Sequence, residues 1–116
     1  MHVLLILNDA PYGTERTYNG LRLGLALAKT PDARVTAFLM ADAVGAAKKG
    51  QKTPDGYYNI ERMVKRLAVA PHRVLLCGSC MEARGLTPSE LLEGAARSTM
   101  DELAQETLAA DRTLVF

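Results

Sequence analysis

An α/β fold with a mainly parallel sheet and helices on both faces is predicted by three observations. Short, continuous apolar runs recur along the chain, as strands buried on both faces require. Helix-forming stretches separate them, and strands that alternate with helices are joined by crossovers. The length, 116 residues, suits one domain, and a 48% hydrophobic fraction suffices for one core.

The first run, His2-Val3-Leu4-Leu5-Ile6-Leu7, is a buried strand that ends in the turn-rich segment Asn8-Asp9-Ala10-Pro11-Tyr12-Gly13. Thr14 or Thr17 is placed to cap the next helix, with Glu15 near its positive end. Leu21, Leu23, Leu25 and Leu27 alternate like a strand. No β-branched residue lies between Asn19 and Lys29, however, and Leu and Ala favour a largely buried helix. Arg34 to Met40 is the second strand, after the loop Thr30-Pro31-Asp32, and Ala41 to Ala47 a short helix. Gly50 to Tyr58 reads as an exposed loop; Asn59 caps a helix to about Ala68 with Ile60, Met63, Val64 and Leu67 on one face.

Arg73 to Cys77 is the third strand, followed by a turn at Cys77-Gly78-Ser79-Cys80. Thr87-Pro88-Ser89-Glu90 is a capping box, expected to open a short helix through Leu92 that stops near Gly94. Ser98 and Asp101 open the last helix, and Arg112 to Phe116 forms a terminal strand. In open parallel sheets, sites lie at the carboxyl ends of the strands. That rule puts residues 8–13, 40–43 and 77–80 on one rim.

Charge narrows the function. Lys and Arg number 14 against 13 Asp and Glu, a net charge of +1, and the Lys48-Lys49 and Lys52 segment reads as a solvated loop. No basic stripe for nucleic acid is present. The opening apolar run lacks the length and basic flank of a signal peptide, and no segment reaches the roughly 20 apolar residues of a membrane helix. A cytoplasmic location is expected, where thiols stay reduced. Oligomerisation is expected too, since a domain this small buries a modest share of its surface.

Two cysteines separated by two residues in a reducing compartment point to redox, metal or sulfur chemistry. Cys77, at the end of a buried strand, fits a nucleophilic thiol stabilised by backbone N–H groups or a cation, with Arg84 the nearest candidate. An isolated cysteine there would more often be a small packed hydrophobe. Gly78 and Gly85 favour the functional reading, because they permit close approach or positive φ around a sulfur. A structural zinc site needs four ligands, and the two Cys and two His do not converge: His72 lies about 16 Å from Cys77 along an extended strand. A thioredoxin-like exchange site usually has its CxxC after an early strand, not two-thirds along the chain. Sulfur carriage needs one accessible thiolate and can use a second thiol for release. Asn8 to Gly13 could cradle a phosphate, but neither glycine-rich phosphate motif is present, and no cofactor is expected.

Taken together, these segments resemble the DsrE family of sulfur-relay proteins, most closely its YchN-like branch. The carriers of the resemblance are Asn8-Asp9-Ala10-Pro11-Tyr12-Gly13, Leu21-Arg22-Leu23, residues 38–44, Gly50-Gln51-Lys52 and residues 56–60. They continue through Cys77-Gly78-Ser79-Cys80, Arg84-Gly85, Leu103-Ala104 and Ala110-Asp111. The resemblance implies a single three-layer α/β/α Rossmann-like domain over residues 1–116, with a five-stranded, mainly parallel sheet. It implies a homotrimer or homohexamer, protein donors and acceptors of sulfur, and a persulfide-carrying cysteine eight residues before the glycine of the Arg-Gly pair. That spacing selects Cys77, with Cys80 as a possible resolving thiol. Asn8, Tyr12, Gly13, Asp42, Gly78, Arg84 and Gly85 are the pocket residues expected around it.

Overall fold

The computed structural model describes residues 1–116. In chain order it runs β1 (His2–Leu7), α1 (Arg16–Leu27), β2 (Arg34–Leu39), a 3-10 segment (Ala41–Ala47), α2 (Ile60–Leu67), β3 (Arg73–Cys77) and α3 (Gly78–Ala83). A 3-10 turn (Pro88–Glu90), β4 (Ala95–Ser98), α4 (Met100–Ala109) and β5 (Arg112–Val115) complete it. The five strands form one sheet in the order β4-β3-β2-β1-β5, with every neighbouring pair parallel. The expected α/β/α layering and five-stranded sheet are present, and the sheet is wholly parallel.

Strand periodicity assigns side chains to the two faces. Val3, Leu5 and Leu7, with Val35, Ala37, Leu39, Val74 and Leu76, meet Leu21 of α1, Ile60, Val64 and Leu67 of α2 and Met81 of α3. The alternate residues Leu4, Phe38, Leu75 and Cys77 meet Leu103 of α4. Cys77 is thus directed to the α4 face at the carboxyl end of the sheet.

Three local expectations change. α1 has Glu15 as its N-cap with no side-chain cap bond; Thr14 and Thr17 instead donate to Oδ2 and the backbone carbonyl of Asp9. The helix packs on Thr17, Gly20, Leu21 and Gly24, so of the alternate leucines only Leu21 is fully buried and Leu23, Leu25 and Leu27 are partly exposed. The Thr87 capping box forms, but the segment it opens ends after one 3-10 turn. Leu91 then bridges Lys48 and the chain enters β4, a strand with no apolar run to announce it. Lastly, Thr99, not Ser98, caps α4: its Oγ1 accepts from the Glu102 N–H at 3.1 Å. The Asn59 cap of α2 is as expected, accepting from the Arg62 N–H at 3.1 Å.

The loop at 50–58 is stitched down by Gln51. Its amide donates to the carbonyls of Ala46 and Lys48, and its Oε1 accepts from the Tyr12 hydroxyl at 2.6 Å. Tyr12 in turn accepts the Ile60 N–H, and Tyr12, Tyr58 and Tyr18 stack in succession.

Candidate functional site

The segment expected to be a turn at 77–80 is the first turn of α3, with Cys77 as its N-cap. The strand delivers Cys77 buried, at 7% exposure, and the helix start directs backbone donors at its sulfur. Sγ of Cys77 accepts the Cys80 N–H at 3.3 Å and lies 3.3 Å from the Ser79 hydroxyl. Burial opposes ionisation of Cys77. The Cys80 thiol, the Ser79 hydroxyl and the N–H groups of Cys80 and Ser79 outweigh it, and the thiol sits below its ordinary pKa. Cys80 moves the other way: burial raises it, and so does giving its S–H to Cys77. The pair is therefore unequal, with the Cys77 thiol the more readily ionised of the two and the Cys80 thiol the less.

The expected pocket residues fall into separate places. Asp42, Arg84 and Gly85 line a cavity of about 160 Å³ with Lys48 and Glu90. There Arg84 donates to Asp42 Oδ1 at 2.9 Å and to the Cys80 carbonyl at 3.1 Å. Its charge favours the thiolate of Cys80, and Cys77 draws its stabilisation from hydrogen-bond donors instead. Gly85 has φ +64°, the left-handed turn that ends α3 behind the CxxC. Asn8 is tied to the Phe116 carbonyl at 3.2 Å beside β5, and Tyr12 to Gln51. Gly13 supplies a positive-φ turn, φ +99°, and is exposed. The rim is shared, but β1 stands two strands from β3, so the 8–13 loop does not line the cavity at Cys77.

That cavity, about 240 Å³, is lined by Cys77, Gly78, Ser79, Arg97, Ser98, Thr99 and Met100. Gly78 is needed because a Cβ there would fall 2.7 Å from Arg97 Nε and 3.0 Å from the Ser98 carbonyl. Arg97 and Ser98 have no signal in the sequence as cavity residues, because β4 carries no apolar run. Parallel pairing sets Ser98 opposite Cys77, which puts the end of β4 at the site.

Neither histidine approaches this site. His72 Nδ1 accepts the Val35 N–H at 3.2 Å, and His2 belongs to a buried polar chain at the amino ends of the strands. No group of three or more His, Cys, Asp or Glu side chains has the arrangement of a metal site.

A model of the DsrE/DsrF-like family matches residues 1–116, from end to end. The chain belongs to the DsrE/DsrF-like family. Protein YchN of Escherichia coli is 41% identical over 115 residues, spanning 98% of this chain and 97% of that protein. An uncharacterised protein of Methanocaldococcus jannaschii is 35% identical over 116 residues, the whole of both chains. The crystal structure of the E. coli YchN protein superposes with a TM-score of 0.93 at 40% identity, covering 99% of this chain and 98% of that one. A protein of unknown function from Methanobacterium thermoautotrophicum shares the fold, with a TM-score of 0.72 at 15% identity over 96% of each chain. Both the family and the sheet expected from the residues are thus established.

Proposed function

We propose that this protein is a sulfurtransferase-type sulfur carrier of the cytoplasm, holding sulfane sulfur as a persulfide on Cys77. The observation that carries the reading is the N-cap geometry: a buried strand-end thiol whose sulfur faces the Cys80 N–H, the Ser79 hydroxyl and the Cys80 thiol. Those donors favour a thiolate, the form that attacks a sulfane sulfur. Cys80 lies beside it as a resolving thiol: once it gives up its proton, its thiolate attacks Sγ of the loaded Cys77, the Cys77–Cys80 disulfide forms, and the outer sulfur leaves as hydrosulfide with the electron pair of the broken S–S bond. Donor and acceptor proteins, and assembly as a homotrimer or homohexamer, complete the proposal by way of the family. Incubation with a persulfide donor is expected to add one sulfur atom to Cys77, read by mass spectrometry of the intact protein and of its peptides. Loading that survives Cys77→Ser and disappears in Cys80→Ser overturns the assignment of roles.

The burial of Cys77 favours a second reading, an oligomeric binding module in which the cysteine is only a packed strand end. Thiol titration separates the two. A carrier thiol alkylates quickly below pH 7 in the folded protein, whereas a packed one waits for denaturant.

A further inference from the structure

The cation in the Cys77 cavity is Arg97, on the strand that the sequence did not announce. Its Nη2 is bound to Glu82 of α3, and its Nε and Cζ lie against Gly78. Nε and Nη1 have no protein partner. The other arginine near the cysteines, Arg84, is held at Nε by Asp42 and at Nη1 by the Cys80 carbonyl, and it lines a different cavity. Of the carboxylates nearest the site, Glu82 holds one end of Arg97 and Glu102 is turned to Arg73 and Ser98. A guanidinium held at one end by Glu82, with two nitrogens unpaired in a residue that lines the same cavity as Cys77, is suited to a second anion. At about 240 Å³ the cavity is smaller than the range of about 300–1,000 Å³ that holds drug-sized ligands.

We propose that Arg97 is a specificity-determining residue of the Cys77 cavity, selecting sulfane-sulfur donors whose persulfide lies beside a carboxylate. The inference deepens the sulfur-carrier reading and rests on it for the sulfur, but not for the charge. In the step it serves, the Cys77 thiolate attacks the outer sulfur of a donor persulfide R–S–SH. A bond forms between Sγ and that sulfur, the donor S–S bond breaks, and R–S⁻ leaves with the electron pair. Cys77 is left as Cys–S–SH, with no oxidant or reductant consumed. Arg97 binds a carboxylate on R and aligns the attack.

The test uses the full chain carrying Cys80→Ser, so that Cys77 alone reacts. Its alkylation by iodoacetate and by neutral iodoacetamide is followed by mass spectrometry at one pH, and the ratio of the two rates is taken. The ratio cancels any change in thiolate fraction. Arg97→Gln is expected to lower it roughly three- to tenfold, with Arg84→Gln leaving it unchanged. A ratio unmoved by Arg97→Gln, or moved equally by Arg84→Gln, overturns the proposal. In the second arm, the persulfide of thioglycolate should load Cys77 faster than that of mercaptoethanol, with the preference lost in Arg97→Gln. Failure of both donors to load the Cys80→Ser chain with Arg97 intact, with the alkylation ratio behaving as expected, defeats the carrier reading and leaves the anion selection by Arg97 standing.

Discussion

On one face of the sheet, α1, α2, α3 and the 41–47 segment enclose twenty buried residues; on the other, α4 alone covers five, Cys77 among them. The difference follows from what each strand offers at alternate positions. The first face is apolar along β1, β2 and β3. The second is apolar only in the middle, at Leu4, Phe38 and Leu75, and polar at the amino ends, where His2, Thr36 and Arg73 stand. These join α4 by a chain of hydrogen bonds. His2 Nε2 lies 3.0 Å from the Thr36 hydroxyl, which donates to Glu106 at 2.9 Å. Arg73 donates to Glu106 at 2.7 Å and to Glu102 at 2.6 Å, and the Ser98 hydroxyl donates to Glu102 at 2.6 Å. One face is therefore held mainly by burial and the other largely by directed polar bonds. The directed bonds end at Ser98, on the wall of the Cys77 cavity.

This contrast can be broken most severely on the thick face. Leu5→Ala removes a fully buried side chain there and should cost about 4 kcal/mol in urea unfolding. On the polar face the corresponding loss comes from a charged residue: Glu106→Ala strands the Thr36 hydroxyl and one arm of Arg73, at about 3 kcal/mol. Glu106→Gln should recover part of that, because it keeps an acceptor. Leu103→Ala, in the smaller apolar cluster, should cost only about 2 kcal/mol. A Leu103 loss as large as that at Leu5 would show that the two faces are held alike.

The smallest effect is a dependence on pH. Burial lowers the His2 pKa below 6.5, and Arg34 adds to it, against the opposing pull of Glu106 and Asp111. The unfolded chain then binds a proton that the native chain refuses. Stability should fall as the pH drops from about 6.5 toward the native value, by at most about 1.4 kcal/mol per unit. Chemical denaturation between pH 7 and pH 5 should show this slope, and His2→Gln should flatten it. An unchanged slope in His2→Gln would assign the acid sensitivity to other groups.

The buried runs at 2–7, 34–39 and 73–77 declared themselves through continuous apolarity, and Asn59 through its capping position, because both signals are local. β4 did not. Ala95-Ala96-Arg97-Ser98 carries no apolar run; it is a strand because β3 offers it an edge. The omission hid Arg97 and Ser98, and it left Arg84 as the natural partner for Cys77, since it is close in sequence. Distance along the chain is a poor guide at this rim: Arg84 is seven residues from Cys77 and lines a different cavity, while Arg97, twenty residues away, lines the same one as Cys77.

Residue order alone thus settled the fold class, the strand-end position of the CxxC and, through its motifs, the family. Those features depend on short-range patterns of hydrophobicity and on spacing. Tertiary structure decided which thiol is the more readily ionised, which arginine lines the same cavity and which face of the sheet it lies on. Each of these depends on groups from separate elements meeting in space, and on how strongly burial there opposes the donors that favour charge.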